Sequence, residues 1–580
     1  MIFGPSSIME GSDMEKNNLL YNIRHSASHL LAQAVTELFP GTLLTLGPVT
    51  ENGFFYDFLP SRNFKEEDLE ALEKRMHEIA KRNEPIVGKQ VNKDEARKLY
   101  QDNKFKLELI DQAEGDTVGL FYQGSFFDLC KGGHVVSTGD LKYFKLTGIS
   151  GSYWRADRQG TALQRISGVC FESQAALDAY LQHLEDVATY DHRRLGKQLD
   201  LFSFDDVAPG MPFFHHKGLL VLNKLIEYLR RMRGTHYQEI RTPTIMNESL
   251  WHTSGHYDNY KENMYFTQAE GVSCCVKPMN CPGGLVVYKN RPHSYREFPL
   301  RVAEFGHVHR FELSGVLHGL FRVRAFTQDD AHIFCTPDQI ESEVVSVLEL
   351  IEKVYGKFGF AKIKMALSTR PEKYIGSLDA WEKATDALRN ALNKHGVPFK
   401  LQEGEGAFYG PKIEVKVEDA MGREWQCGTV QVDFFMPMNF GAEYVDSDQS
   451  RKTPVMIHVA IYGSLERFFG ILLEHFKGHF PFWLAPAQVR VLTITDAQHA
   501  YADSVVEALR AAGIRTERDA GGDQISAQIR RAQVEKIPWM VVIGQKEVDQ
   551  KTVTLRHVDG KQEFGLTLEA LIKRALEINA

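Results

Sequence analysis

Residues 306–330 read GHVHRFELSGVLHGLFRVRAFTQDD, and the fold is decided there. The spacing predicts a strand that carries Arg310 and Glu312, a glycine-containing loop, and a returning strand with Arg322, Arg324 and Phe326. Beyond Phe326, the run FTQDDAHIFC alternates Phe326, Gln328, Asp330 and His332 against Thr327, Asp329, Ala331 and Ile333. One strand face therefore gathers a ring, an amide, a carboxylate and an imidazole. A solvated face would leave the outward Phe326 unexplained.

Working outward, a helix (KGLLVLNKLIEYLRRMRG) and a short strand ending at Pro243 (YQEIRTP) precede this hairpin. After it, Ser464 of GSLERFFGILLE can cap a helix whose first turn presents Arg467. Arg310 and Arg467 can fork onto phosphate oxygens, Phe326 can stack a base, and Glu312 can accept from the base or an attacking amine. Strands separated by long insertions argue for a mainly antiparallel α+β sheet across 197–484. From Pro486 the pattern turns to strand–helix alternation (VRVLTI, then HAYADSVVEALRAAG), as in a small α/β unit with parallel pairing.

Two clusters of soft donors stand out. Cys281 in VKPMNCPGG, His332 and His458 in PVMIHVAIYGS are 51 and 126 residues apart, so spacing alone does not reveal them. Cys with two His suits zinc with an open coordination position. The second cluster lies in the first amphipathic helix, NNLLYNIRHSASHLLAQAVTELFP, stopped by Pro40 and Gly41. Ile23, Ala27, Leu30 and Ala34 form one face, with His25 and His29 on the other. Cys130 and His134 of DLCKGGH can turn to the same point on twin glycines. These four could hold zinc, could position a water for hydrolysis, or, for the helical pair, could simply be solvated.

The chain has 580 residues, suggesting about four units at roughly 150 each. Its 43% hydrophobic and 25% charged residues are those of an ordinary globular protein and exclude disordered, collagenous and coiled-coil classes. No run approaches the roughly 18 apolar residues of a membrane span. The start, MIFGPSSIMEGSDMEKNN, has neither the basic nor the apolar part of a secretory signal. Seven scattered cysteines fit a reducing, cytoplasmic setting. A net charge of −8 neither announces nor excludes a nucleic-acid partner.

With KPMNCPGG, LHGLFRVRAFTQDDAHIFC, EGAFYGPKIE, WQCGTVQVDF and the HSASH/CKGGH pair, the sequence resembles class II aminoacyl-tRNA synthetases, specifically bacterial-type threonyl-tRNA synthetases, from about residue 18 to the end. The resemblance implies a multidomain α+β protein. A lead (1–17) precedes an α+β editing domain (18–184), a helical linker (185–196), an antiparallel class II catalytic domain (197–484) and an α/β anticodon-binding domain (485–580). The ubiquitin-like module common in the family is missing from this sequence. The resemblance implies one zinc on Cys281, His332 and His458, and a threonine pocket of Met279, Gln328, Asp330, Tyr409 and Gln431. ATP with Mg²⁺ would meet Arg310, Glu312, Arg322, Phe326, Gln426 and Arg467, with Lys412 nearby and His256 toward the tRNA terminus; Arg310, Lys412, Arg467 and His256 are the implied catalytic residues. Editing would use His25, His29, Cys130 and His134, with Asp128, Lys106 and Tyr56; Glu547 and Arg556 would read the anticodon of tRNA(Thr). A homodimer is implied, with the segment ending at Pro243 at its interface.

The two clusters are chemically complementary. An apolar pocket separates threonine from isosteric valine by only about a hundredfold, and loss of one methyl, as in serine, is worth only about 10–200-fold. A metal that senses the hydroxyl would exclude valine, whereas serine would need a second, hydrolytic pocket.

Overall fold

The computed structural model describes residues 19–157, 159–360, 362–519 and 522–579; the expected lead at 1–17 lies outside them. Two compact units divide at Glu185 and Asp186.

In the first unit, helix Leu19–Leu38 packs on helix Asp68–Lys81 and on strands Gly53–Leu59 and Ala162–Phe171. It is buried around its whole circumference between Ser26 and Val35, not along one face as its periodicity suggests. A hairpin forms from Val49–Thr50 and Gly53–Leu59 and extends into a five-stranded antiparallel sheet. A separate antiparallel sheet of Ile86–Asn92, Thr117–Gln123 and Phe126–Leu129 delivers Cys130 at its end.

The second unit is built on eight strands in the order Gln238–Glu239, Leu300–His309, Ala325–Cys335, Val455–Ala460, Glu424–Asp433, Lys412–Glu418, Ile363–Ser368 and Phe399–Gln402. Only the two outermost pairings are parallel; the six central strands are antiparallel, the arrangement expected where regular strand–helix alternation is lacking. Helices His216–Arg233, Ile340–Lys357 and Leu465–His475 contribute Leu225, Ile351, Phe468 and Leu472 to its main core. The hairpin differs from expectation in one respect. Its strands end at His309 and begin at Ala325, so Arg310, Glu312, Arg322 and Arg324 sit in the connection. The ladder yields because Gly210 O captures the Arg324 N–H at 2.7 Å and Glu312 N turns back onto Arg310 O at 2.9 Å.

The C-terminal sheet runs Thr516–Arg518, Val489–Thr493, Trp539–Ile543, Thr552–His557 and Gln562–Thr567. Its first three strands are parallel, as alternation predicts, and the last two add as an antiparallel meander. This sheet has its own apolar core around Val491, Val505 and Val541. It joins the rest of the second unit partly through ions, with Glu535 bridging Arg490 (2.8 Å) and Lys217 (3.1 Å).

Candidate functional site

Register builds the site. Across four neighbouring central strands, His332 stands opposite His458, His458 opposite Gln431, and Gln431 opposite Lys412. Cys281 opens helix Cys281–Tyr288, where Pro282 suits the first turn. The ligand atoms of Cys281, His332 and His458 all lie within 4.8 Å of one another. Gly284, one turn of helix away, packs beside His332, where a Cβ would sit 3.5 Å from Nδ1, in ordinary contact. His458 Nε2 lies 3.1 Å from Asp433 Oδ2, the kind of carboxylate partner that orients a ligating imidazole. Burial pushes the Cys281 thiol well above its ordinary pKa, with Asp330 and Asp433 adding to the effect, and burial holds His332 well below its own. A buried thiol and two imidazoles flanked by carboxylates fit a divalent cation, which would stabilise the thiolate.

Around this trio the pocket residues converge. Asp330 Oδ2 accepts from Asn280 Nδ2 at 2.7 Å. Gly306 makes room for that amide, since a Cβ there would fall 2.0 Å from Asn280 Oδ1. Gln431 Nε2 donates to Gly410 O (2.8 Å), and the Tyr409 ring lies 5.4 Å from that of His458. His256 is fully buried, its Nδ1 2.7 Å from Ser254 Oγ and its Nε2 2.9 Å from Met279 Sδ; burial lowers it to about 3, so the ring is neutral. Gln328 Oε1, Asn280 Oδ1 and Arg467 Nε are buried without a hydrogen-bond partner among the described residues. Unsatisfied polar atoms gathered in one place are what a ligand site leaves behind.

The arginines occupy the other half. The Arg310 guanidinium lies 5.1 Å over the Phe326 ring and donates to Pro278 O at 3.3 Å. Glu312 pairs with Arg322 Nε at 3.0 Å, and Lys412 with Glu414 at 2.7 Å. Ser464 Oγ caps its helix by accepting from Arg467 N at 3.2 Å, as its sequence predicts. Arg467 Cζ stands 5.8 Å from the Trp425 ring, the neighbour of Gln426. Two buried carboxylates, invisible to local pattern, lock the hairpin to this helix. Glu466 accepts from Thr327 N (2.8 Å), and Asp329 from the N–H groups of Ile461 (2.8 Å), Tyr462 (3.1 Å) and Gly463 (2.8 Å). Burial raises Glu466 to about 7 and Asp329 to about 6.

In the first unit, His25, His29, Cys130 and His134 meet with their ligand atoms within 4.8 Å. Cys130 Sγ is 3.4 Å from His25 Nε2 and 3.2 Å from His134 Nε2. Gly132 (φ +103°) and Gly133 (φ +89°) make the turn in the left-handed region, where a side chain would be strained. His134 Nδ1 lies 3.0 Å from Ser26 Oγ, and His25 Nδ1 3.1 Å from Gly133 O. His29 is 3% exposed, which removes the solvated reading of the helical pair. Burial holds all three imidazoles below their usual pKa and lifts the Cys130 thiol to about 12. Beside them, Lys106 Nζ contacts Asp128 Oδ1 at 2.5 Å, both side chains 2% exposed. Tyr56 donates to Asp128 Oδ2 (2.5 Å) and accepts from Lys106 (3.1 Å); Tyr100, which sequence reading missed, reaches Asp128 Oδ1 at 3.4 Å.

Beside the C-terminal sheet, Glu547 of helix Gln545–Gln550 is engaged internally, accepting from Gly544 N (2.9 Å) and Thr554 Oγ1 (2.8 Å). Arg556 lies on strand Thr552–His557, its Nε buried without a partner among the described residues. No helix among the described residues is long and apolar enough to cross a membrane.

Comparison with known proteins agrees along the chain. Residues 264–476 match the tRNA synthetase class II core domain (G, H, P, S and T), 488–578 an anticodon binding domain, and 118–167 the threonyl and alanyl tRNA synthetase second additional domain. The threonine-tRNA ligase of Acetivibrio thermocellus is 50% identical over 558 residues, covering 96% of this chain and 88% of that one. That of Thermotoga neapolitana is 51% identical over 544 residues, 93% and 85% of the two chains. Among solved structures, the RNA binding domain of threonyl-tRNA synthetase from Cryptosporidium parvum superposes with a TM-score of 0.65 at 44% identity, covering 67% of this chain and 98% of that one.

Proposed function

The chain belongs to the threonine-tRNA ligase family, and from that premise we propose how its residues divide the work. It is an aminoacyl-tRNA ligase with a class II core. Residues 197–484 carry activation, 485–580 anticodon recognition and 18–184 editing, with 185–196 as linker. The convergence of Cys281, His332 and His458 beside Asp330 carries the reading.

Those three side chains would hold one zinc ion, which would supply a Lewis-acidic centre able to sense an alcohol. Asp330, fixed by Asn280, accepts from the same threonine hydroxyl, so valine would leave a buried carboxylate unmet. Met279, Gln328, Tyr409 and Gln431 enclose the amino acid. Phe326 stacks the adenine once Arg310 swings from it to the phosphates, and Glu312, Arg322 and Gln426 complete the nucleotide pocket around ATP and its Mg²⁺. The threonine carboxylate attacks the α-phosphorus in line, and pyrophosphate leaves with its charge balanced by Arg310, Arg467 and Lys412. A ribose hydroxyl at the tRNA(Thr) terminus then attacks the carbonyl of the threonyl-adenylate, its proton passing to the adenylate phosphate as AMP leaves, and His256 stands toward that terminus.

Serine escapes this pocket's discrimination, and the His25, His29, Cys130 and His134 cluster, backed by Lys106, Asp128 and Tyr56, hydrolyses seryl-tRNA(Thr). Glu547 and Arg556 would read the anticodon. A cytoplasmic homodimer, joined near Pro243, completes the proposal.

Threonine-dependent ATP–pyrophosphate exchange tests the activation site; no exchange with threonine, or equal exchange with valine, refutes it. For editing, a His25→Ala/His29→Ala variant should accumulate seryl-tRNA, and unchanged hydrolysis would mean the pocket is elsewhere.

A further inference from the structure

A third group of donors lies outside both sites. Asp191, His192 and Glu474 bring ligand atoms within 4.8 Å of one another. His192, in helix His192–Gln198, is completely buried, and both of its ring nitrogens are engaged. Nε2 accepts from Leu320 N at 2.9 Å, which places the ring proton on Nδ1, and Nδ1 donates to Glu474 Oε1 at 2.6 Å. Glu474 Oε1 also accepts from the His192 backbone at 2.8 Å. With no lone pair left on the ring, the group is a hydrogen-bond relay and not a metal site.

What the relay touches gives it a role. Leu320 belongs to the connection that bears Arg310, Glu312 and Arg322. The imidazole supports that segment from beneath, with the Phe321 ring 4.0 Å from it. Gly319 has φ +49°, and a Cβ there would fall 2.1 Å from His192 Nε2. The far end of the relay reaches the same pocket by another route. Arg423 links Glu474 to Asp419, Asp419 accepts from Trp425 Nε1 at 2.8 Å, and Trp425 packs on Phe321 at 4.3 Å and under Arg467. Two arms from one histidine thus end on the residues flanking Arg322, Gln426 and Arg467.

We propose that His192 is a positioning residue for nucleotide binding, holding the Gly319–Phe321 segment through Leu320 N–H so that the Arg310–Arg322 connection is set for ATP. This rests on the nucleotide assignment above, and wild-type exchange that depends on threonine and ATP checks that assignment separately. His192→Asn keeps a donor for Glu474 but stops short of Leu320. It should raise KM for ATP about tenfold while kcat and KM for threonine stay within about twofold. His192→Gln restores an acceptor at the place of Nε2 and should return KM for ATP to within about twofold of wild type. An unchanged KM for ATP in His192→Asn, an equal rise in both KM values, or no recovery in His192→Gln overturns the proposal. If His192→Asn does not fold, amide exchange carries the test. The Leu320 amide should be protected in both wild type and His192→Gln without nucleotide, and rapid exchange in either overturns it.

Discussion

Lys106→Met isolates the energetics of the first unit's polar cluster. The ammonium and the Asp128 carboxylate meet at 2.5 Å, each 2% exposed, so water screens neither. Removing one member of such a buried pair strands the other charge, at a cost of about 3–5 kcal/mol. Asp128 keeps three donors, from Tyr56 (2.5 Å), Leu129 N (2.8 Å) and Tyr100 (3.4 Å), which places the expected loss near the lower bound, about 3 kcal/mol. Adding Asp128→Asn removes the stranded charge and should recover about 2 kcal/mol, a coupling readable from the double-mutant cycle. Because a chain of two units does not unfold in one step, the assay is amide exchange of strand Phe126–Leu129. Its opening rate should rise about a hundredfold in Lys106→Met and largely recover in the double variant. Hydrolysis of seryl-tRNA should fall in both, since neither retains the ammonium. Protection unchanged in Lys106→Met, or no recovery on adding Asp128→Asn, would refute the reasoning.

Four further outcomes are expected. Cys281→Ala should reduce zinc from about one ion per chain to almost none by elemental analysis, with loss of threonine-dependent exchange; a retained ion would place the metal elsewhere. Gly306→Ala drives a Cβ into Asn280 and unseats its bond to Asp330, so KM for threonine should rise about tenfold with KM for ATP little changed. Arg467→Ala should lower kcat/KM for ATP about a hundredfold, checked in the same exchange assay. Arg490 holds the Glu535 carboxyl down to about 2 from 4.5, so its stabilisation is complete above pH 4.5 and is lost as pH falls toward 2. Glu535→Gln should flatten the pH dependence of amide protection in strand Val489–Thr493 within that window.

Much of this was legible in the sequence because the chemistry sits in contiguous runs. FTQDDAHIFC alternates as a strand must, GSLERFF announces its own cap, and CKGGH carries the glycines its turn needs. What stayed hidden acts across long separations. Glu466 binds Thr327 N from 139 residues away, Leu320 reaches His192 across 128, and Asp433 finds His458 only through sheet register. No periodicity encodes such pairs. The first helix was misread for a related reason. Periodicity shows one apolar face, but Ser26, Ser28 and Gln33 are also buried, since they find partners such as His25 O, Gly47 O and Gln123. The ends of the hairpin strands depended on Gly210, a residue more than a hundred positions upstream of the Arg324 N–H that it captures.

His332, His458, Gln431 and Lys412 form a line at right angles to the strands that carry them. Because side chains alternate from one face of a sheet to the other, inserting or deleting a single residue within any of those strands would turn its member to the far side. Point replacement can tune this enzyme, but changes of length cannot be absorbed along that line. Natural insertions and deletions should therefore collect in the connections, leaving the spacing inside these strands untouched even among distant cousins.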